Sequence, residues 1–434
     1  MAQKRAVAAE REGRRAGLAP AARSLSWALP WSLLLALGLL ATDAVAQEGD
    51  GDSITELSGW AALEVRAFPS APQNAGQENQ RVQPSVAVRP EIRHEWNGGD
   101  DRLTLIPFAR WDATDGKRSH VDLREANWQH LADNWDLTVG LGKVFWGVTE
   151  SRHLVDIINQ TDEVEDPDGE DKLGQPMINL NLHRDIGSFA FYVLPGFRER
   201  IYPGRAGRLR YVFPVDTDAT RFESGAKDRH VDLAARWAHS IGDWDIGLSH
   251  FHGTSREPRL TPGLDSGGRL ILIPTYDIID QTGLTVQMTT GPWLWKFEGM
   301  SRWGHQTDHH FLAAVPGVEY TLYDLFESGK DLGLLLEYQY DGRNNAAPRT
   351  AANDDIFVGT RLAFNNTDST EILLGASVDR HHGAFGIGLE AETRLTDVWT
   401  IELEARMTSN VPQTDVLFAT RKDDFVQLRL FRYF

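Results

Sequence analysis

The sequence predicts an all-β fold, an antiparallel transmembrane β-barrel of about eighteen strands, or sixteen if the two segments between residues 177 and 194 are loop. Three observations predict it. Short segments alternate apolar and polar residues, their connections fall into a short class and a long class, and the chain ends on an aromatic residue, Phe434.

The first residues stand apart from that pattern. Residues 1–23 are basic and rich in small side chains, residues 24–40 carry the apolar core SWALPWSLLLALGLL, and Ala44-Val45-Ala46 is an A-x-A site. This reads as a secretory signal peptide over 1–46, removed before Gln47, with a single barrel domain over 47–434. The apolar run is too short to span a bilayer, and no later segment is hydrophobic enough to do so. Composition agrees with export. The chain has no cysteine, which excludes disulfides, thiolate metal sites and cysteine nucleophiles. The leader holds six basic and three acidic residues, so the remainder is three units more negative than the −18 of the whole chain. A nucleic-acid partner is therefore not expected. The 14 Trp and 19 Phe suit a barrel whose aromatic residues gather at both membrane interfaces.

The strands follow in order. β1, near Glu56–Phe68, places Leu57, Ala61, Leu63 and Val65 on one face and Ser58, Glu64 and Arg66 on the other. β2 (Val86–Trp96) points Val88 and Ile92 outward and Arg89, Glu91, Arg93 and Glu95 inward, then turns at Asn97-Gly98-Gly99-Asp100. Four charged side chains on one face cannot point into lipid. β3 (Arg102–Asp112) and β4 (His120–Leu131) lead to a tight turn and β5 (Trp135–Phe145). β6 (Met177–Arg184) and β7 (Ser188–Leu194) are separated by three residues. β8 (His230–His239) and β9 (Trp244–His252) follow, then β10 (Ile279–Thr289) and, after Gly291-Pro292, β11 (Trp293–Trp303). β12 (Phe311–Tyr323), β13 (Asp331–Tyr340), β14 (Asp355–Phe364) and β15 (Thr370–Asp379) continue the alternation. β16 (Ala384–Leu395), β17 (Trp399–Thr408) and β18 (Phe425–Phe434) complete it.

Connections after even strands are tight, and those after odd strands are mostly long, above all 146–176, 195–229, 253–278 and 341–354. Exceptions are the turn at 325–331 and the tight outer turn at 380–383. Short periplasmic turns and long external loops are the habit of bacterial barrels. Trp135, Trp244, Trp293 and Trp399 each follow a short turn directly, as a periplasmic aromatic girdle would require. A soluble β-sandwich with core tryptophans is the alternative, but it leaves the two loop classes unexplained.

Two resemblances add to this reading. The run from Asp424 to Phe434, with Val426, Leu428 and Leu430 at alternate positions, resembles the C-terminal signature of outer-membrane barrels. That resemblance implies recognition by the barrel-assembly machinery and a place in the Gram-negative outer membrane, in contact with lipid and lipopolysaccharide. Arg432 departs from the signature, and its head can snorkel to the interface. Gly142-Lys143-Val144-Phe145-Trp146-Gly147, with Asp156-Ile157-Ile158-Asn159 and Pro176, resembles a group of porin-like barrels related in appearance to alginate-export channels. Beyond those residues the likeness is architectural and names no solute.

Alternation assigns to the lumen Arg66, Arg89, Arg93, Arg110, Arg236, Lys296, Arg302, Arg361, Arg394 and Arg406. With them go Glu64, Glu91, Glu95, Asp232, Glu298, Glu319, Glu337, Glu390, Glu392, Glu402 and Glu404. Such a lumen holds water or cross-strand ion pairs, because isolated buried charges cost several kcal/mol each. A hydrated channel for small hydrophilic or charged solutes is the expectation, since about eighteen strands enclose more space than side chains fill. A salt-bridged structural or surface-interaction barrel is the alternative.

The loop over 147–176 is the expected selective element. Its apolar Leu154, Val155, Ile157 and Ile158 predict that 154–159 folds into the barrel, with Leu154, Asp156, Asn159 and Asp162 as candidate constriction residues. The acidic half is expected near the mouth, and an external flap is the alternative. Asp166, Asp168 and Glu170 form a weak calcium candidate without the EF-hand spacing. Arg198, Arg200, Arg205, Arg208 and Arg210 of the next loop could meet lipopolysaccharide phosphates, an anionic solute or the acidic loop. No cofactor is called for and no enzyme is expected. The chain contains no Gly-x-Ser-x-Gly, Walker or His-Glu-x-x-His motif, and His250, His252, His309, His310, His381 and His382 fall mostly at strand ends or turn tips.

Overall fold

A computed structural model describes residues 45–48, 53–305 and 309–434. The expected leader lies outside them except for Val45 and Ala46, which belong to a short strand, Val45–Glu48, paired antiparallel with the start of the barrel.

Eighteen strands form the wall. They are β1 Ile54–Ala67, β2 Val82–Trp96, β3 Asp101–Asp112, β4 His120–Ala132, β5 Trp135–Gly142, β6 Gln175–Arg184, β7 Gly187–Pro195, β8 Val231–Ile241 and β9 Trp244–Thr254. The second half comprises β10 Ile278–Thr290, β11 Trp293–Gly304, β12 Phe311–Leu322, β13 Asp331–Asp341, β14 Asp354–Ala363, β15 Glu371–Asp379, β16 Phe385–Thr396, β17 Trp399–Ser409 and β18 Phe425–Tyr433. Each strand pairs antiparallel with its sequence neighbour, and β18 returns to β1 in the register Trp60↔Tyr433 to Ala67↔Val426. The sheet therefore closes, and no strand edge is left open. β6 and β7 are both in the ladder, which decides for eighteen strands over sixteen.

The last residue takes part in closure. Phe434 N–H donates to the Gly59 carbonyl (3.1 Å) and Gly59 N–H donates to the Phe434 carbonyl (3.0 Å). Gly59 has φ +150°, and a Cβ there would lie 2.4 Å from the Arg89 carbonyl oxygen, so the close approach of β1 to β2 at this seam requires glycine.

Alternation sorts side chains by solvent. In β1, Leu63 and Val65 are 39% and 42% exposed on the outside, while Glu64 and Arg66 between them are 2% and 6% exposed inside. Trp244, Trp293 and Trp295 are likewise exposed beside the short turns. No helix of the described residues is long and apolar enough to cross a membrane. Crossing falls to the strands, whose outward apolar band matches hydrocarbon.

Two segments differ from expectation. β5 stops at Gly142 rather than Phe145, because the chain turns into the lumen at Lys143. The connection 255–277 is not a plain loop. It contains a hairpin of Arg259–Leu264 with Leu270–Tyr276, joined in parallel by Arg221–Phe222. Pro262 and Pro274 break the pattern a strand reading relies on. Pro262 is tolerated because its strand is at the edge of this small sheet.

Candidate functional site

The chain between β5 and β6 folds into the barrel, and apolar burial explains why. Val155, Ile157 and Ile158 are 1%, 3% and 0% exposed and cluster with Trp146, Met177, Tyr192, Leu194, Phe251 and Ile279. Leu154 packs separately with Met300, Phe311, Ala313, Val315 and Ala347. Burying each of these four aliphatic side chains contributes about 1.5–3 kcal/mol. Their sites are inward-facing apolar residues of β6–β12. Sequence reasoning passed over these residues, although the two-sided apolar runs Phe189–Leu194 and Ile278–Ile279 carried the signal.

Wall carboxylates then grip the loop backbone. Glu298 of β11 accepts from Val148 N–H (2.7 Å), Thr149 N–H (3.1 Å), the Thr149 hydroxyl (2.8 Å) and Val155 N–H (3.2 Å). Glu337 of β13 accepts from Glu150 N–H and Ser151 N–H, both at 2.8 Å. Glu150 itself meets Arg361 of β14 at 2.6 Å, and Arg152 meets Asp341 at 2.8 Å. Ionised acceptors make such bonds short and strong.

The acidic half lies against the outer parts of three strands, near the mouth, and is buried there rather than solvated. Asp162 pairs with Arg124 of β4 (2.7 Å), Glu165 with Arg110 of β3 (2.7 Å), and Asp168 with Arg406 of β17 (2.6 Å). Arg118 also donates to the Val164 carbonyl. One loop thus reaches β11, β13 and β14 with its first half and β3, β4 and β17 with its second, and so crosses the lumen. Arginines on the inner wall compensate these carboxylates, which offsets the cost of taking them out of water. Burial favours the neutral form of Glu165, but Arg110, Arg118, His120 and Arg124 outweigh it and bring its carboxyl down to about 2.

Each expected constriction residue has a definite place. Leu154 faces the wall. Asp156 pairs with Lys172 inside the loop at 3.2 Å. Asn159 staples the loop base, accepting from Val144 N–H (2.8 Å) and donating to the Gly142 and Leu173 carbonyls (2.9 Å each). Asp162 is fully buried on Arg124. Leu154, Asp156 and Asn159 border a cavity of ≈ 100 Å³ that Arg152, His153, Arg200 and Arg302 also line. Asp166 and Asp168, offered above as a calcium candidate, are both directed at Arg406 (3.6 and 2.6 Å).

The remaining lumen charges form mixed networks. Arg66 donates to Gln427 (2.7 Å), Arg89 lies 5.2 Å over the Trp60 ring, and Arg93 pairs with Glu91 (2.7 Å). Arg110 also reaches Glu64 (3.1 Å), Lys296 meets Glu319 (3.4 Å), Arg302 meets Glu257 (2.6 Å), and Arg406 approaches Glu390 (3.6 Å).

The loop over 196–230 covers the mouth. Arg198 pairs with Asp122 of β4 (2.9 Å), and Arg200 donates to the Arg256 carbonyl (2.8 Å) and approaches Glu163 (3.5 Å). Arg208 pairs with Asp423 at 2.8 Å, both side chains fully buried, and donates to the Ser70 carbonyl. Arg210 donates to the Ala75 carbonyl. A loop that starts beside β7 is therefore tied to the connections flanking β1 and β18, and Arg198, which donates to the Gly174 carbonyl, and Arg200 meet the loop over 147–176.

His153 gives the site a pH signature. Burial lowers its imidazole, but Glu298 at 3.6 Å outweighs burial and raises it to about 9 from the usual 6.5. For a raised histidine the tether is complete below about 6.5 and lost as pH rises through about 9. Fluctuation of open-channel current is expected to grow across that rise, and His153→Gln is expected to abolish the change.

No protein-family model matches the chain, and no curated protein sequence matches it. Solved outer-membrane barrels do resemble it in fold. OccAB3 of Acinetobacter baumannii has a TM-score of 0.51 at 11% identity, over 89% of this chain and 100% of that one. OccK11 (OpdR) of Pseudomonas aeruginosa has a TM-score of 0.49 at 10% identity, over 90% and 99% of the two chains. A BenF-like porin from Pseudomonas fluorescens Pf-5 has 0.49 at 9% identity, over 88% and 98%.

Proposed function

We propose that this chain is a channel of the Gram-negative outer membrane through which small hydrophilic or charged solutes diffuse passively, narrowed by the loop over 147–176. The observation that carries the reading is that loop's crossing of a charged lumen, held by Glu298 and Glu337 at one end and by Arg110, Arg124 and Arg406 at the other. A rigid, polar narrowing inside a closed barrel selects solutes by size and charge, because it replaces part of their hydration with fixed dipoles and charges. Its mixed signs create a field across the passage rather than along it. Passive transport needs no catalytic set, and none is assigned. The outward apolar band sits in lipid, with lipopolysaccharide around the outer loops. The terminal strand is the part offered to the assembly machinery.

Refolded protein in planar bilayers is expected to give discrete conductance steps, and silence from a correctly folded barrel would sink the channel. Deleting Leu154–Asp171 is expected to raise the step size. An unchanged step would locate the narrowing elsewhere and leave the channel standing.

A further inference from the structure

The inner wall of the barrel is not covered evenly. The loop over 147–176 reaches β14 through Glu150 and Arg361 (2.6 Å) and β17 through Asp168 and Arg406 (2.6 Å), so these anchors stand on either side of β15 and β16. No residue of β16 is buried, inward or outward, whereas β10–β13 carry buried inward residues at alternate positions. Glycines give the sharpest comparison. A Cβ added at inward-facing Gly247, Gly283, Gly317 or Gly333 would meet a side-chain atom at 2.5, 2.7, 2.7 or 2.6 Å. At Gly388 of β16 it would meet nothing within 4 Å, and at Gly386 the nearest atom is 3.9 Å away. Gly388 pairs with Arg406, which holds Asp168 of the loop, so the bare wall is level with the loop.

The rim above repeats the asymmetry. Residues 380–384 join β15 to β16, whereas the longer connections 342–353 and 410–424 join the strand pairs on either side. The tight outer turn, an exception to the rule of long outer loops, therefore stands directly over the bare stretch of wall. A short connection between longer ones leaves a way in from outside at that point.

Toward the periplasm the same wall becomes acidic. Glu390 stands directly opposite Glu404, and Glu392 has Glu371 on one side and Glu402 on the other. Like charges placed opposite one another on neighbouring strands repel. Arginines answer them, but each is shared: Arg361 between Glu150 and Glu371, Arg406 between Asp168, Glu404 and Glu390, and Arg429 between Glu402 and Glu404. Arg394 follows only at the periplasmic end of β16, beyond the acidic row. The side chains of Glu390 and Glu402 are 22% and 23% exposed, against 0% for Glu298, so they face water rather than the loop. A wet wall with carboxylates in excess draws cations and repels anions.

Resting on the reading of this chain as a channel, we propose that solutes cross along an off-centre lane on the inner face of β15 and β16, past Gly386 and Gly388. Glu390, Glu392 and Glu402 make this lane prefer cations. Because the chain lacks cysteine, a single introduced cysteine reports its own site. Gly388→Cys has room for its side chain, and a neutral maleimide applied to the open channel is expected to label it and lower the current severalfold. Thr285→Cys, on the inner face of β10 where Thr285 is 5% exposed, is expected to stay unlabelled. In a potassium chloride gradient the wild type is expected to reverse on the potassium side. Glu390→Gln/Glu392→Gln is expected to move the reversal potential toward chloride, with heat-dependent gel mobility intact as proof of a folded barrel. A folded but silent wild type would overturn the channel and the lane with it. A conducting protein that takes no label at 388, keeps its current when labelled there, or labels equally at 285 would overturn the lane alone. Reversal on the chloride side, or a potential unmoved by the double substitution, would overturn the cation preference.

Discussion

Glu298→Ala is expected to raise the conductance of the channel severalfold. One fully buried carboxylate accepts three backbone N–H groups and one hydroxyl from the inward loop, and stands beside His153. Its removal leaves buried donors without acceptors, at about 1–3 kcal/mol each. Water can satisfy them only if residues 148–155 lift away from β11. Leu154, Val155, Ile157 and Ile158 still hold the loop to the wall, so it loosens rather than leaves. The barrel keeps its register because the β10–β11 and β11–β12 ladders are backbone to backbone. Glu298→Gln retains one acceptor oxygen and should fall between the two. Single-channel recording checks the series, and equal conductance in all three proteins would show that this grip does not set the passage.

The second large effect concerns the strap over the mouth. Arg208→Ala strands Asp423 in a fully buried position with the Gln77 amide at 3.4 Å and the charge of Arg210 in place of its direct ion pair. Removing one partner of such a pair costs about 3–5 kcal/mol. That cost falls on the loop over 196–230 and its contacts with Ser70 and Lys422, not on the strand ladder. Limited proteolysis of the folded barrel should then cut within 196–230 while heat-dependent gel mobility stays normal. Arg208→Met combined with Asp423→Leu replaces the pair by apolar volume and should restore resistance, since such exchanges are often neutral or stabilising. Unchanged resistance in Arg208→Ala would mean that the strap is held elsewhere.

The two effects differ in how far they could be read from sequence. Glu298 and Glu337 were legible as lumen residues, because each lies in a strand whose neighbours alternate outward. Their partners were not, since a glutamate reveals nothing about which distant N–H groups it accepts. Leu154–Asn159 was legible as a segment that avoids water. The wall sites that receive it, Phe251, Ile279 and Val315, were hidden because an inward apolar residue in a polar lumen resembles an ordinary strand residue. The acidic stretch 162–171 was legible as a segment near the mouth, but its burial was not, because its charges looked solvated until Arg110, Arg124 and Arg406 were brought beside them.

By itself the sequence determined that this chain is a β-barrel of about eighteen strands, which residues face lipid, and which end carries the long loops. These follow from a two-residue period and from connection lengths, both local properties of the chain. Only the tertiary structure decided that the loop over 147–176 spans the lumen, that the loop over 196–230 straps the mouth, and that residues 259–276 form a hairpin. The first two outcomes depend on contacts between residues separated by a hundred positions or more, such as Glu298 with Val148 or Arg208 with Asp423, and the hairpin is joined by the distant strand Arg221–Phe222. In such contacts the cost of ordering a loop is offset by burial and ion pairing at sites brought together only when the barrel closes.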